Sequence, residues 1–213
     1  MFIKDYNFRE IYHRFVKFNT KPDMTAFKDV KITKETDSFV TYCYIDKECG
    51  ITFEYICPYN NIDKKCLRRN HEGTSIKFRY GSLNYDADII DNIEVHREDK
   101  FINEIIDIID KNYDNKHLAV NRGFKEIDSL RAEGYPYDIK VILAKDGLNR
   151  EIVWVTWDYV ENGICFGLLK NEPFQNMGVH LGDRIQIKMA QMDDGEWIAF
   201  CNCNEINNDS KGA

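Results

Sequence analysis

No run of about 18 consecutive apolar residues occurs, so nothing in the sequence reads as a membrane-spanning helix. Residues 1–21 mix charges with aromatics and lack the basic start and apolar core of a secretory leader. Prolines are scarce, only Pro22, Pro58, Pro136 and Pro173, and there is no Gly/Ser-rich linker, internal repeat or low-complexity tract. A string of loosely tethered domains is therefore not expected. The motifs of common chemistries are missing as well. There is no G-x-x-x-x-G-K-[ST] or G-x-G-x-x-G phosphate loop, no G-x-S-x-G elbow, no H-E-x-x-H helix and no C-x-x-C knuckle. A kinase, an ATPase, a dinucleotide oxidoreductase, an elbow-type hydrolase and a zinc protease all lose their signature, and no cofactor or resident metal is expected.

What is present is a chain of 213 residues, 43% hydrophobic and 31% charged, enough to bury a core. The seven cysteines are odd in number and, without a leader, read as reduced thiols in a cytoplasmic protein. The net charge of −7 disfavours a general nucleic-acid coat. It is uneven: residues 1–113 carry 18 cations and 20 anions, a net −2, and residues 114–213 carry 11 and 16, a net −5.

The patterning predicts an α+β fold. Residues 8–18 read as a helix, with Asn7 and Glu10 placed as a capping box and Phe8, Ile11, Tyr12 and Phe15 as its apolar stripe. Residues 39–44 and 51–56 alternate as a β-hairpin around Asp46-Lys47-Glu48-Cys49-Gly50, and residues 75–80 and 84–94 read as a second strand pair turned at Gly81-Ser82. Residues 100–113 form the clearest helix, capped by Asp99, and residues 123–133 a second. Five β-type runs follow at residues 139–143, 151–157, 164–169, 184–189 and 197–201, joined by turn residues such as Asp146-Gly147 and Asn162-Gly163. The expectation is an N-terminal helix with antiparallel strands, two central helices, and a small, SH3-like, β-barrel-like module. The domains would be residues 1–113 and 114–213.

Within this last part, Arg150-Glu151-Ile152-Val153-Trp154-Val155, Gly167-Leu168-Leu169-Lys170-Asn171-Glu172-Pro173, Leu181-Gly182-Asp183-Arg184-Ile185 and Glu196-Trp197-Ile198 stand in order. In this respect residues 138–201 resemble an uncharacterised bacterial family, domain of unknown function 2314. Ile152 stands where that family has His, and Gly195-Glu196-Trp197 where it has Asp-Trp. The resemblance implies a small β-rich module without an established activity.

Three groups of residues are candidates for function. Asn171, Glu172 and Asp183, with Trp154 and Trp197 nearby in sequence blocks, fit either turns or a polar site at a barrel rim. Lys64, Lys65, Arg68 and Arg69, followed by His71, form a basic run able to grip phosphate, nucleic acid or an acidic protein patch. Cys43, Cys49, Cys57, Cys66 and His71 lack the close pairing of a zinc site, and Cys201 and Cys203 are spaced to share one face of a strand, where they could hold a metal or simply pack. No nucleophile stands out, so the expectation is a non-enzyme that binds a protein partner, for instance a toxin-neutralising immunity protein acting by charge complementarity. The alternatives are an enzyme using Glu172 and Asp183, and a phosphate or nucleic-acid binder using residues 64–71.

Overall fold

The computed structural model describes residues 1–20, 36–67, 75–82, 85–90, 100–114 and 116–206. The chain forms two compact units, Met1–Asp114 and Asn115–Ala213. The fold is α+β, with few helices, antiparallel sheet and a closed five-strand barrel. Among the described residues no helix is long and apolar enough to cross a membrane.

In the first unit the predicted capping box forms: Asn7 accepts from the Arg9 backbone N–H, and Glu10 accepts from that of Asn7. The helix it opens, α1 (Phe8–Ile11), nevertheless lasts one turn, against the expected 8–18. His13 takes a left-handed φ of 52° and turns the chain into strand β1 (Phe15–Phe18). Strand wins because Val16 and Phe18 alternate inward and both edges of β1 find partners, β2 and β6.

The predicted hairpin forms as β2 (Ser38–Asp46) and β3 (Gly50–Asn60), almost wholly buried. Asp46 Oδ1 accepts from the backbone N–H groups of Glu48 and Cys49 to close the turn. Short β4 (Lys65–Cys66) and β5 (Lys77–Arg79) both add to β3, and β6 (Ala87–Ile90) adds to β1. The expected pairing of residues 75–80 with 84–94 is thus replaced. A 3-10 turn at Tyr80–Ser82 redirects the chain, and Phe78 packs near Phe39. Helix α2 (Lys100–Tyr113) forms as read, laying Ile102 and Ile109 over Val40, Tyr42, Tyr44 and Ile56. Its expected cap, Asp99, lies outside the described residues.

In the second unit the predicted helix 123–133 is broken. A short α3 (Ala119–Gly123) is followed by a 3-10 stretch at Lys125–Leu130 and a two-residue strand, β7 (Arg131–Ala132). The side chain of Arg131 donates to the carbonyls of Asn121, Phe124 and Pro136 and to the carboxylate of Asp128. Of these acceptors the Phe124 carbonyl lies within the predicted helix, where it would otherwise accept a backbone N–H. The five predicted strands form as β8 (Tyr135–Ala144), β9 (Glu151–Glu161), β10 (Ile164–Leu169), β11 (Arg184–Gln191) and β12 (Trp197–Asn202). Each pairs antiparallel with the next, and β12 closes the barrel by lying parallel to β8, with Cys201 opposite Leu143. Inward residues such as Ile139, Val141, Val155, Ile185 and Ile187 fill the interior.

Candidate functional site

Residues 170–183 join β10 to β11 at the barrel rim. Met177 and Val179 are buried in the barrel core and anchor the loop from beneath. Its polar side chains then fix the backbone. Asn171 Oδ1 accepts from the Trp154 backbone N–H at 2.7 Å, extending the edge of β9. Glu172 spans the loop, one oxygen 2.7 Å from His180 Nδ1 and the other accepting from the Leu181 N–H at 2.8 Å. Asp183 accepts from the His180 N–H at 2.8 Å. From β9, Glu151 accepts from the Phe174 and Gln175 N–H groups at 2.8 and 2.7 Å and from the Gln175 side chain. Lys145 donates to the Asn176 carbonyl.

The electrostatics follow from these bonds. The Leu181 N–H, with His180 beside it, holds the Glu172 carboxyl below its usual range. At Glu151 desolvation pushes upward, but the Gln175 side chain and the Phe174 and Gln175 N–H groups outweigh it, and the net shift is downward. Both carboxylates are therefore anionic at neutral pH.

The loop carries Phe174, which is fully exposed at 101% relative accessibility although its backbone is held by Glu151. Leu181 is 60% exposed, and Ile152, which follows Glu151 on β9, is 68% exposed. Strand register places Ile152 beside Ile142 of β8 and Ile142 beside Phe200 of β12, forming an apolar row across three strands. Trp154 stands opposite Lys140, whose Nζ lies 5.7 Å from the indole ring centroid.

Asn171, Glu172 and Asp183 are thus brought together on one loop, with Trp154 bonded to Asn171. Trp197 is elsewhere: it packs edge-on to Phe124 at 5.3 Å against the barrel core. Lys64 takes a left-handed φ of 51° in the turn before β4, and Lys65 on β4 pairs with Asp63 at 3.2 Å. Arg68, Arg69 and His71 lie outside the described residues. Cys57 and Cys66 lie in the core cluster beneath α2. Among the described residues no three His, Cys, Asp or Glu side chains gather as metal ligands.

Glu151, Phe174, Gln175 and His180 were not legible as site residues. The contacts of Glu151 with residues 174 and 175 depend on the loop's folded path, and an exposed Phe has no sequence signature. A polar cluster in the first unit also escaped the sequence. His13 Nδ1 lies 3.2 Å from Asp110 of α2, and Tyr42 donates to the same carboxylate oxygen at 3.1 Å. The ring of Tyr12 lies 4.1 Å from that of His13, and His13 Nε2 is buried. This cluster clamps α2 to the sheet and offers no imidazole nitrogen to a substrate.

Comparison of the chain with protein-family models, with curated proteins and with solved structures finds no match.

Proposed function

We propose that the protein works by binding a protein partner through the rim of its C-terminal barrel, in a bacterial cytoplasm, with toxin neutralisation as the specific role. The observation that carries this reading is Phe174, a fully exposed aromatic on a loop whose backbone is fixed from both sides. An aromatic presented on a pre-ordered backbone loses little entropy on binding and makes a natural anchor. The surroundings define the partner. Residues 145–183 contain three cations, Lys145, Arg150 and Lys170, against six anions, Asp146, Glu151, Asp158, Glu161, Glu172 and Asp183, a net −3. The fitting partner is a basic protein with an apolar pocket ringed by Lys or Arg, as a nucleic-acid-degrading toxin would present.

The enzymatic alternative uses the same carboxylates, but Glu172 and Asp183 spend their oxygens on the loop's own N–H groups and on His180. That arrangement favours a fixed platform over acid–base work. The resemblance to domain of unknown function 2314 supports a β-rich module and adds no activity.

The test is capture from the native host with the intact chain and with Phe174→Ser. A specific basic protein should be retained by the wild type, with affinity falling about 30-fold or more in the variant, a hot-spot loss of about 2 kcal/mol. Retention of the same partner by both proteins with equal affinity, or no specific partner at all, would overturn the reading.

A further inference from the structure

The β9–β10 hairpin ends in an exposed tip. Glu161 pairs with Ile164, so the turn consists of Asn162 and Gly163, with left-handed φ values of 51° and 78°. This is the type I′ turn in which Asn-Gly is a favoured pair. Residues 161–164 are all exposed. Among the described residues no hydrogen bond holds the Asn162 carboxamide, whereas those of Asn171 and Asn202 each accept from a backbone N–H. The Gly163 N–H lies outside the strand ladder, and a Cβ built on Gly163 would meet nothing within 4 Å. No other Asn-Gly pair occurs in the chain. The Asn162 carboxamide carbon and the next backbone nitrogen can therefore meet in a five-membered ring, and glycine, with no Cβ, hinders that closure least. The left-handed turn must open for the ring to form, and an exposed hairpin tip lies at the low-stability end of local opening.

We propose that Asn162 is a site of spontaneous deamidation, converted to aspartyl and isoaspartyl forms as the protein ages. In the first step the Gly163 nitrogen loses its proton to solvent base and attacks Asn162 Cγ. A C–N bond forms, the Cγ–Nδ2 bond breaks, and the amide nitrogen takes up a proton and leaves as ammonia. In the second step the resulting succinimide takes up one water. Attack at Cγ breaks the new C–N bond and gives an aspartyl residue. Attack at the main-chain carbonyl carbon breaks the original peptide bond and reroutes the chain through Cγ. Either way one water enters and one ammonia leaves, and the net charge of −7 becomes one unit more negative. The isoaspartyl form also puts one extra carbon into the backbone of a turn that Glu161 and Ile164 have to close, which loosens the end of the hairpin. Strand β9 runs from Glu151, which holds the Phe174 loop, to this tip. The modification therefore falls at the far end of β9 from the rim and is independent of the proposed binding role.

The experiment incubates the intact protein in warm, mildly alkaline buffer, with circular dichroism showing that the fold persists, beside a synthetic peptide of residues 158–167. Both are sampled over time, the protein is digested at mildly acidic pH, and the segment holding residue 162 is read by mass spectrometry with fragmentation that separates the two linkages. In the folded protein this segment should exchange an amide NH for O before any other asparagine does, with isoaspartate the larger share. The rate should rise with pH, because the attacking nitrogen must lose a proton, and should be slower than in the peptide, because the turn must open. Asn162→Gln, whose ring would have six members, should lose the mass change. An intact amide in the folded protein over an interval that converts the peptide fully would overturn the inference, as would earlier conversion at another asparagine. The wild-type measurement decides whatever the variant does.

Discussion

Gly167 sits where β10 shifts register against β9, and a Cβ there would lie 2.5 Å from Val155 Cγ1 and 2.7 Å from the Thr156 carbonyl oxygen. Backbone on one side and a core side chain on the other leave little room to yield. Gly167→Ala should therefore cost about 1–3 kcal/mol, read as a lower midpoint in urea denaturation. Tyr44 gives the opposite case. Its hydroxyl is buried without a hydrogen-bond partner among the described residues, and desolvation pushes the phenol's pKa up. Tyr44→Phe removes that unsatisfied group and should leave stability equal or higher by up to about 1 kcal/mol, in the same assay. At Glu172 the folded-state pKa lies below the ordinary 4.5. Its contribution is thus complete above the unfolded value and is lost as pH falls through the depressed one. The protection factor of the Leu181 amide, its exchange rate relative to an unstructured amide at the same pH, should fall over that acidic interval, and in Glu172→Ala it should be low at neutral pH already.

Arg131 organises a whole segment, its guanidinium reaching carbonyls of residues 121, 124 and 136. Arg131→Met should strand those acceptors and cost about 3 kcal/mol, measured as a fall in the unfolding midpoint of the second unit. The same segment marks where pattern reading fails. Phe124, Ile127 and Leu130 have true helical spacing, but a bond network that reaches from residue 121 to residue 136 decides the backbone. At residues 8–18 the capping box was legible and real, yet the apolar spacing fits a one-turn helix followed by an alternating strand equally well. The hairpin around residues 47–49 and the five barrel strands were readable because alternation and turn chemistry are both local. Of the rim, Asn171, Glu172 and Asp183 were visible as turn residues. Their gathering on one loop was not, and Glu151 and Phe174 acquire their roles only through the contact of β9 with that loop.

Each unit carries a hydrophobic cluster of its own, one under α2 and one inside the barrel. A fragment of residues 115–213 should therefore keep a β-type circular dichroism spectrum and unfold in one cooperative urea transition. A gradual, non-cooperative loss of signal would show that the barrel depends on residues 1–114. The closure of that barrel bears on its synthesis. Because β8 is completed only by β12, the emerging chain must carry unpaired edges on β8 and β11 until residue 202 has left the ribosome. Messages truncated after residue 191 should then yield aggregates, while those truncated after residue 206 yield soluble protein. Truncation before β12 is thus expected to leave the barrel open along β8 and β11.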